Sequence, residues 1–167
     1  SLLSVEQLPE QTLALILAKA LGNPFFLEEI VRAQIDSGLI FRHEESWQAR
    51  TQLTSLTVPE TVQSVVLSRV DRLLPDLKRL LQIAAVIGHY CQQRLLAALA
   101  PPDLELEEAL AALSSLAFIH QERSGLDVEY AFRHVLVQDT IYQALPGRRR
   151  APLHQQVAEA IESLYAN

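Results

Sequence analysis

The sequence has few of the residues on which disulfides, metal sites and many active sites depend. It contains one cysteine, Cys91, and no methionine. A single cysteine excludes an internal disulfide and a zinc site built from cysteines, and it is typical of a protein from a reducing cytosol. We therefore expect a cytoplasmic location. Because the chain opens on Ser1, already in the approach to a helix, we expect it to be a piece of a longer protein.

Long apolar runs and clustered positive charge are also missing. No apolar run is long enough to cross a bilayer, so we expect no membrane partner. The net charge of −6 disfavours a nucleic-acid surface, because binding to phosphates needs concentrated Lys and Arg. With 49% apolar and 20% charged residues, the 167-residue chain is long enough for one globular domain or two small ones.

Motifs of catalysis are equally scarce. The sequence has no Gly-x-Ser-x-Gly elbow and no Gly-rich phosphate loop ending in Lys-Ser or Lys-Thr. Its five histidines never recur at metal-ligand spacing: His43, His89, His120, His134 and His154. The pairs Glu28-Glu29 and Glu107-Glu108 are interpreted as acidic residues in a first helical turn, where they favour the helix dipole. We expect that this chain is not an enzyme.

What the sequence does contain begins with two helices joined by a turn. Leucines recur at helical spacing before Gly22, which ends the first helix: Leu13, Leu17 and Leu21. Asn23 is a favourable N-cap, and Pro24 suits the first helical position because its missing N–H has no partner there. The second helix carries an apolar face and ends at Gly38, the face comprising Leu27, Ile30, Val31 and Ile35.

The stretch from Leu39 to Pro75 contains a hairpin and a third helix. Apolar residues 39–41, a polar tip at 43–46 and Trp47 predict a short hairpin. Thr57 to Glu60 has the spacing of a capping box, and an apolar stripe follows it: Val62, Val65, Val66, Val70 and Leu73. Leu74-Pro75-Asp76 breaks this helix and starts another.

Residues 75–145 predict three helices followed by a β-hairpin. The helices run from Pro75 to Gly88, from Gln93 to Ala100 and from Glu105 to Leu116. The period then changes from 3.6 to 2 between Phe118 and Phe132, with a turn at Ser124-Gly125. Three helices and a two-stranded wing are the element order of a winged helix-turn-helix.

Helical periodicity returns after His134 and again after Pro146-Gly147. The last helix is amphipathic, with Leu153, Val157, Ile161 and Leu164 on one face. Arg148 to Arg150 are interpreted as a solvated loop between two helices, with a contact to an anion or a partner as the alternative.

A winged helix commonly binds DNA through its third helix. Here that helix carries no Lys or Arg, but four carboxylates precede or open it: Asp103, Glu105, Glu107 and Glu108. Carboxylates repel the phosphate backbone, and guanine is read by Arg or Lys. We therefore expect no direct contact with nucleic acid and a role in packing or switching.

Four segments together resemble the STAND class of signalling P-loop ATPases. They are GNPFFLEE, VPETVQSVVLSRVDRLLPDLKRLLQIAAVIG, FRHVLVQDTIYQAL and RRRAPLHQQVAEAI. The nearest form is bacterial and multidomain, fused to nucleotide cyclase domains or to LuxR-type DNA-binding domains. The resemblance implies a mainly α fold, with a helical AAA+-type lid at 1–74, a winged helix at 75–145 and the start of a TPR-like repeat region at 146–167.

The resemblance also implies nucleotide contacts. In this class a Gly-x-Pro turn before a lid helix places proline against the adenine ring, and Gly22-Asn23-Pro24 matches that turn. A histidine between the wing and the next helix reaches the β-phosphate of ADP, and His134 matches it. The plant form has Asp after this histidine, where the present chain has Val135. From the residues alone, Pro24 also suits a plain helix start and His134 a helix cap.

The expected function is thus a non-catalytic switch segment that couples ATP or ADP in the full-length parent to a signalling or transcriptional effector. Its partners would be an upstream P-loop core and downstream helical repeats of the same chain, and other proteins. No cofactor is expected for this segment alone. The alternatives are a DNA-binding winged-helix regulator and a helical protein-interaction adaptor.

Overall fold

The protein is mainly α-helical, with short antiparallel strands, as the sequence predicts. A computed structural model describes residues 8–44, 46–50, 61–125 and 128–166. The chain divides into two compact units between Arg72 and Leu73. Among the described helices, none combines the length and the apolar character that crossing a bilayer requires.

In its described residues, the first unit contains three helices and one hairpin. Its elements are α1 (Glu10–Ala20), α2 (Pro24–Asp36), β1 (Ile40–His43), β2 (Ser46–Ala49) and α3 (Val62–Asp71). Helix α2 contacts both α1 and α3, and their facing apolar side chains form one core. That core includes Ile16, Phe26, Ile30, Val31, Ile40 and Val65.

The buried face of α1 differs from the one that the leucine spacing suggests. Leu17 and Leu21 are 48% and 87% exposed, whereas Ile16 is fully buried. Thr12 and Ala20, four residues before and after Ile16, are buried with it. A β-branched side chain flanked by small ones packs closely against α2, so the leucine stripe lies beside the true contact face.

The predicted hairpin is present, with β1 and β2 antiparallel and Ile40 opposite Ala49. Trp47 is half-buried and packs against the core of the first unit. Helix α3 begins at Val62, and Thr61 is its N-cap, with the hydroxyl accepting the Ser64 N–H at 3.1 Å. The predicted capping box from Thr57 to Glu60 lies outside the described residues.

A buried cluster of charges joins α2 to α3. The Arg69 guanidinium on α3 is sealed from solvent and donates to two carboxylates of α2: Glu29 at 2.8 Å and Asp36 at 2.7 Å. The interpretation of Glu28-Glu29 as first-turn residues is therefore wrong, because α2 begins at Pro24 and its first turn carries no acid. Glu28 instead pairs with Arg32 one turn later, at 2.6 Å.

The described part of the second unit contains five helices and a three-stranded sheet. Its elements are α4 (Pro75–Ile87), β3 (Tyr90–Gln92), α5 (Gln93–Leu99), α6 (Leu106–Ser115), β4 (Ile119–Arg123), β5 (Glu129–Phe132), α7 (Val135–Ala144) and α8 (Gly147–Tyr165). The sheet is antiparallel with the order β3-β5-β4. Strand β3 was not predicted, because three residues between two helices show no alternation that could be recognised.

Helix α8 belongs to the same packed unit as the three-stranded sheet. It contacts α4 and α5, and Val157 and Leu153 meet Val86 and Leu145 in one apolar cluster. Arg148 to Arg150 lie inside the first turns of α8, so their interpretation as an interhelix loop is wrong. Pro146 is the N-cap residue, and its carbonyl accepts the N–H groups of Arg149 and Arg150, so the Pro-Gly pair begins a helix here.

We predict that Arg69→Met destabilises the first unit by about 3–5 kcal/mol, because it leaves Glu29 as a buried charge without its partner. Urea unfolding followed by the fluorescence of Trp47, the single tryptophan of the chain, reports on this unit. Arg72→Met, at the exposed residue after α3, should change the free energy of unfolding by less than about 0.5 kcal/mol. Equal effects of the two changes would show that the charge cluster does not hold α2 and α3 together.

Candidate functional site

The turn between α1 and α2 is set by two consecutive left-handed residues. Leu21 has φ 50° and Gly22 has φ 77°. A Cβ atom added at Gly22 would meet no atom within 4 Å, so glycine is needed here for its backbone angle and not for space. The Asn23 N–H then donates to the Ala20 carbonyl at 2.9 Å, which fixes the direction in which α2 starts.

Asn23 and Pro24 begin α2 as the sequence predicts. The Asn23 side-chain oxygen accepts the N–H groups of Phe25 and Phe26, at 3.0 and 3.2 Å. Pro24 is the first helical residue and is exposed. Phe26, two residues later, is buried and anchors the turn in the core. The turn thus presents a rigid apolar ring on the surface, next to the N–H groups of a helix start.

His134 is the N-cap of α7, as the residues alone suggest, and its side chain is exposed. Its Nδ1 accepts the Leu136 N–H at 3.1 Å. The tautomer that this bond selects carries the ring proton on Nε2, which is therefore the donor of the neutral ring. The imidazole also lies beside the backbone N–H groups of a helix start, a setting that favours anions.

The strand that leads to His134 is held from both sides. The Phe132 N–H donates to the His89 carbonyl, and the Arg133 N–H donates to the Phe118 carbonyl, both at 3.0 Å. Phe132 and Ala131 are buried and Tyr130 is half-buried, so burial along β5 does not alternate strictly between its two faces. Burial, with a smaller contribution from the charge of Glu107, raises the pKa of Tyr130 above its ordinary value.

The three residues matched to a nucleotide fall into two places. Gly22 and Pro24 form one turn of the first unit, and His134 begins a helix of the second unit. Among the described residues, no group of three His, Cys, Asp or Glu side chains is placed to hold a metal ion. His120 contacts Glu122 at 2.9 Å on the exposed part of β4.

Cys91 is a buried thiol on β3. It is 2% exposed, and its Sγ donates weakly to the carbonyl oxygens of Ala84 and Gly88, at 3.4 and 3.5 Å. Burial, and secondarily the negative charge of Glu129, raises its pKa from 9.0 to about 12. A thiol with this pKa is neutral at physiological pH, so it is a poor nucleophile there.

A cleft of about 610 Å³ between α4 and α8 was not predicted from the sequence. Two cations of α4, Lys78 and Arg79, and two of α8, Arg148 and Arg149, are among its lining residues. The sequence signal was available in the basic residues near two predicted helix starts, but only the packing of α8 on α4 brings them to one cleft.

No protein-family model matches the chain. The chain is similar to an uncharacterized protein of Rhizobium meliloti (strain 1021), with 32% identity over 142 residues. The alignment covers 84% of this chain but 13% of that protein, so the chain spans a small part of the relative that it matches.

We predict that native Cys91 reacts with a soluble disulfide reagent at least about tenfold more slowly at pH 8 than the urea-unfolded chain does, because the rise in pKa from 9.0 to about 12 lowers its thiolate fraction more than it raises the nucleophilicity of the thiolate. The reaction is followed by the absorbance of the thiol that the reagent releases, and this signal is specific to Cys91 because the chain has no other cysteine. By linkage, stability is retained below pH 9 and falls as the pH rises towards 12, a fall that Cys91→Ala should reduce. Comparable rates in the native and unfolded chain would contradict the burial of the thiol.

Proposed function

We propose that this chain is a non-catalytic switch segment of a STAND-type ATPase, in which the first unit is the helical lid and the second unit is a winged helix. In this proposal the segment senses whether ATP or ADP is bound and passes that state to an effector domain. The P-loop and the Mg²⁺ ligands would come from an upstream core of the same protein.

The element order of the second unit supports the winged-helix part of the proposal. Three helices, α4, α5 and α6, precede the hairpin β4–β5. The short strand β3 between the first two helices pairs with β5, so the hairpin is attached to the helices as a wing. This agreement concerns topology, and topology alone does not determine function.

One observation carries the proposed function: Pro24 and His134 are both exposed at the start of a helix. Pro24 is the first residue of α2, and His134 is the N-cap of α7. Pro24 follows a left-handed turn capped by Asn23, and His134 caps α7 while keeping Nε2 as its neutral donor. An apolar ring suits the face of an adenine, and an N–H donor beside a helix start suits a phosphate. The proposed role of Pro24 is thus a contact with adenine, and that of His134 is a contact with phosphate.

Val135 limits what His134 can do in the proposed switch. Its side chain is 58% exposed. Because it is a valine, the position after the histidine offers no carboxylate to a partner or to a metal. The proposed role of His134 is therefore a direct contact with phosphate, without help from its neighbour in sequence.

The alternative of DNA recognition finds no support in α6. Asp103, Glu105, Glu107 and Glu108 are all exposed before or in its first turn, and the helix has no Lys or Arg. This surface repels a phosphate backbone. The adaptor alternative is supported by the cleft between α4 and α8 and is compatible with a switch segment.

We predict that, in the full-length ATPase, His134→Asp releases ADP about 10–100-fold faster than the wild type. Aspartate is a good N-cap, so α7 should keep its stability, whereas a carboxylate repels the phosphate and removes a charge-assisted hydrogen bond worth about 1.5–3 kcal/mol. The measurement is the dissociation rate of fluorescent ADP, together with the thermal midpoint of each variant.

His134→Ala is the companion variant, because it removes both the cap and the proposed phosphate contact. His43→Asp, at an exposed residue of β1, is the matched control for charge. If His134→Asp retains ADP like the wild type and His134→Ala is only less stable, then His134 is a helix cap and its proposed role in nucleotide sensing is wrong.

We also predict that repeated rounds of selection for binding to this chain, from a pool of randomised DNA duplexes, enrich no DNA sequence motif. The exposed carboxylates of α6 explain this result, and Glu107→Lys with Glu108→Lys should raise non-specific affinity for duplex at low salt. A reproducible motif whose binding is lost when α6 is altered would favour the DNA-binding regulator instead.

A further inference from the structure

The cleft between α4 and α8 runs along one face of each helix. On α4 it is lined between Pro75 and Ile83, and on α8 between Arg148 and Gln156, at helical spacing on both. Eight residue steps correspond to about 12 Å of helix, or about two turns. The cleft is therefore an elongated groove and not a spherical pocket.

The rims of this groove are positively charged, whereas the chain as a whole is negative. Lys78 and Arg79 lie on α4, and Arg148 and Arg149 lie on α8, against one carboxylate, Asp76. Within the described part of the chain, the guanidinium groups of Arg79, Arg148 and Arg149 take part in no hydrogen bond or ion pair. By contrast, Arg150, which does not line the groove, stacks over the Tyr142 ring at 5.1 Å.

The floor of the groove is apolar. Ile83 is buried, Leu145 is buried, and Leu153 is half-buried, while Pro75 and Pro152 add exposed ring carbons. Leu145 and Leu153 also belong to the apolar cluster that fixes α8, so the floor is rigid. An apolar floor between two cationic rims complements a ligand that is apolar on one side and acidic on its flanks.

The arginines of α8 stand where the helix dipole disfavours them. The first turn of a helix carries partial positive charge and favours Asp or Glu, yet α8 has no acidic residue there and three consecutive arginines. Arg148 and Arg149 are exposed, so their charges are accessible to negative charge from outside the described chain.

We propose that the groove between α4 and α8 is a docking site for an acidic amphipathic helix of a protein partner. The partner helix would place about two turns of apolar side chains over Leu153 and the rings of Pro75 and Pro152, above the buried Ile83 and Leu145. Its Glu or Asp residues, at i, i+3 or i+4 from the apolar stripe, would pair with Arg79 on one side and with Arg148 and Arg149 on the other.

A peptide fits these observations better than a free phosphate does. A phosphate needs donors that converge on one point, whereas these cations come from two helices and share the lining with apolar side chains. The volume of about 610 Å³ also exceeds what a phosphate group fills, and it suits the side chains of one helix face.

The test is a titration of the full 167-residue chain into a fluorescein-labelled peptide, read by anisotropy. The peptide has about 14 residues, capped at both ends, with Leu at i, i+3, i+4 and i+7 and Glu on both flanks of that stripe. We expect saturable binding that weakens as sodium chloride rises from about 50 to about 300 mM. A peptide of the same composition in permuted order should bind at least about tenfold more weakly, because it cannot present one apolar face.

Two variants test the two parts of the groove separately. Arg148→Glu with Arg149→Glu should weaken binding at least about tenfold, and Gln156→Trp, which fills the floor without changing charge, at least about fivefold. Arg133→Glu, at an exposed residue outside the groove, is the matched control and should stay within about twofold. Circular dichroism of each variant verifies that the helices are intact.

Three results would overturn the proposal. Equal binding of the ordered and the permuted peptide, or no binding of either, would show that the groove does not recognise an amphipathic helix. Full affinity after reversal of Arg148 and Arg149 would place binding elsewhere. Displacement of the peptide by equimolar pyrophosphate would reassign the groove to phosphate ligands. None of these outcomes depends on Pro24 or His134, so the proposed nucleotide switch is tested separately.

Discussion

The guanidinium of Arg69 cannot leave its carboxylate partners without exposing a buried charge to an apolar interior. Glu29 and Asp36 lie seven residues apart on α2, so one side chain of α3 is held to two turns of its neighbour. The other end of α2 is the Asn23-Pro24 turn. The orientation of that turn within the first unit therefore depends on an ion cluster that lies along the same helix.

Periodicity predicted the helices and the two hairpins, because apolar spacing and turn residues are local properties. Residues whose role depends on distant partners were misjudged. Glu29 looked like a residue of a first helical turn, yet its partner is forty positions away. Strand β3 exists because β5 pairs with it across the same kind of distance. The arginines after Pro146-Gly147 looked like a loop, since the sequence does not show that the Pro146 carbonyl accepts the first N–H groups of α8.

The candidate site illustrates the same boundary between local and distant information. The sequence predicted the local features: Asn23 caps α2, Pro24 is its first residue, and His134 lies at the start of α7. The groove was invisible because its two rims, near Lys78 and Arg149, are about seventy residues apart and meet only through the packing of α8 on α4 and α5. One physical theme connects both places: both lie at helix starts, where the helix dipole carries partial positive charge and attracts negative charge.

Because Cys91 is buried and its pKa is raised, a second cysteine can be labelled selectively and used for distance measurements by energy transfer. A cysteine introduced on an exposed residue of the second unit can be labelled with an acceptor dye while the buried thiol stays unmodified. Trp47, in the first unit, supplies an intrinsic energy donor without any substitution. Energy transfer between them would follow the separation of the two units in solution, in real time and with a single engineered position.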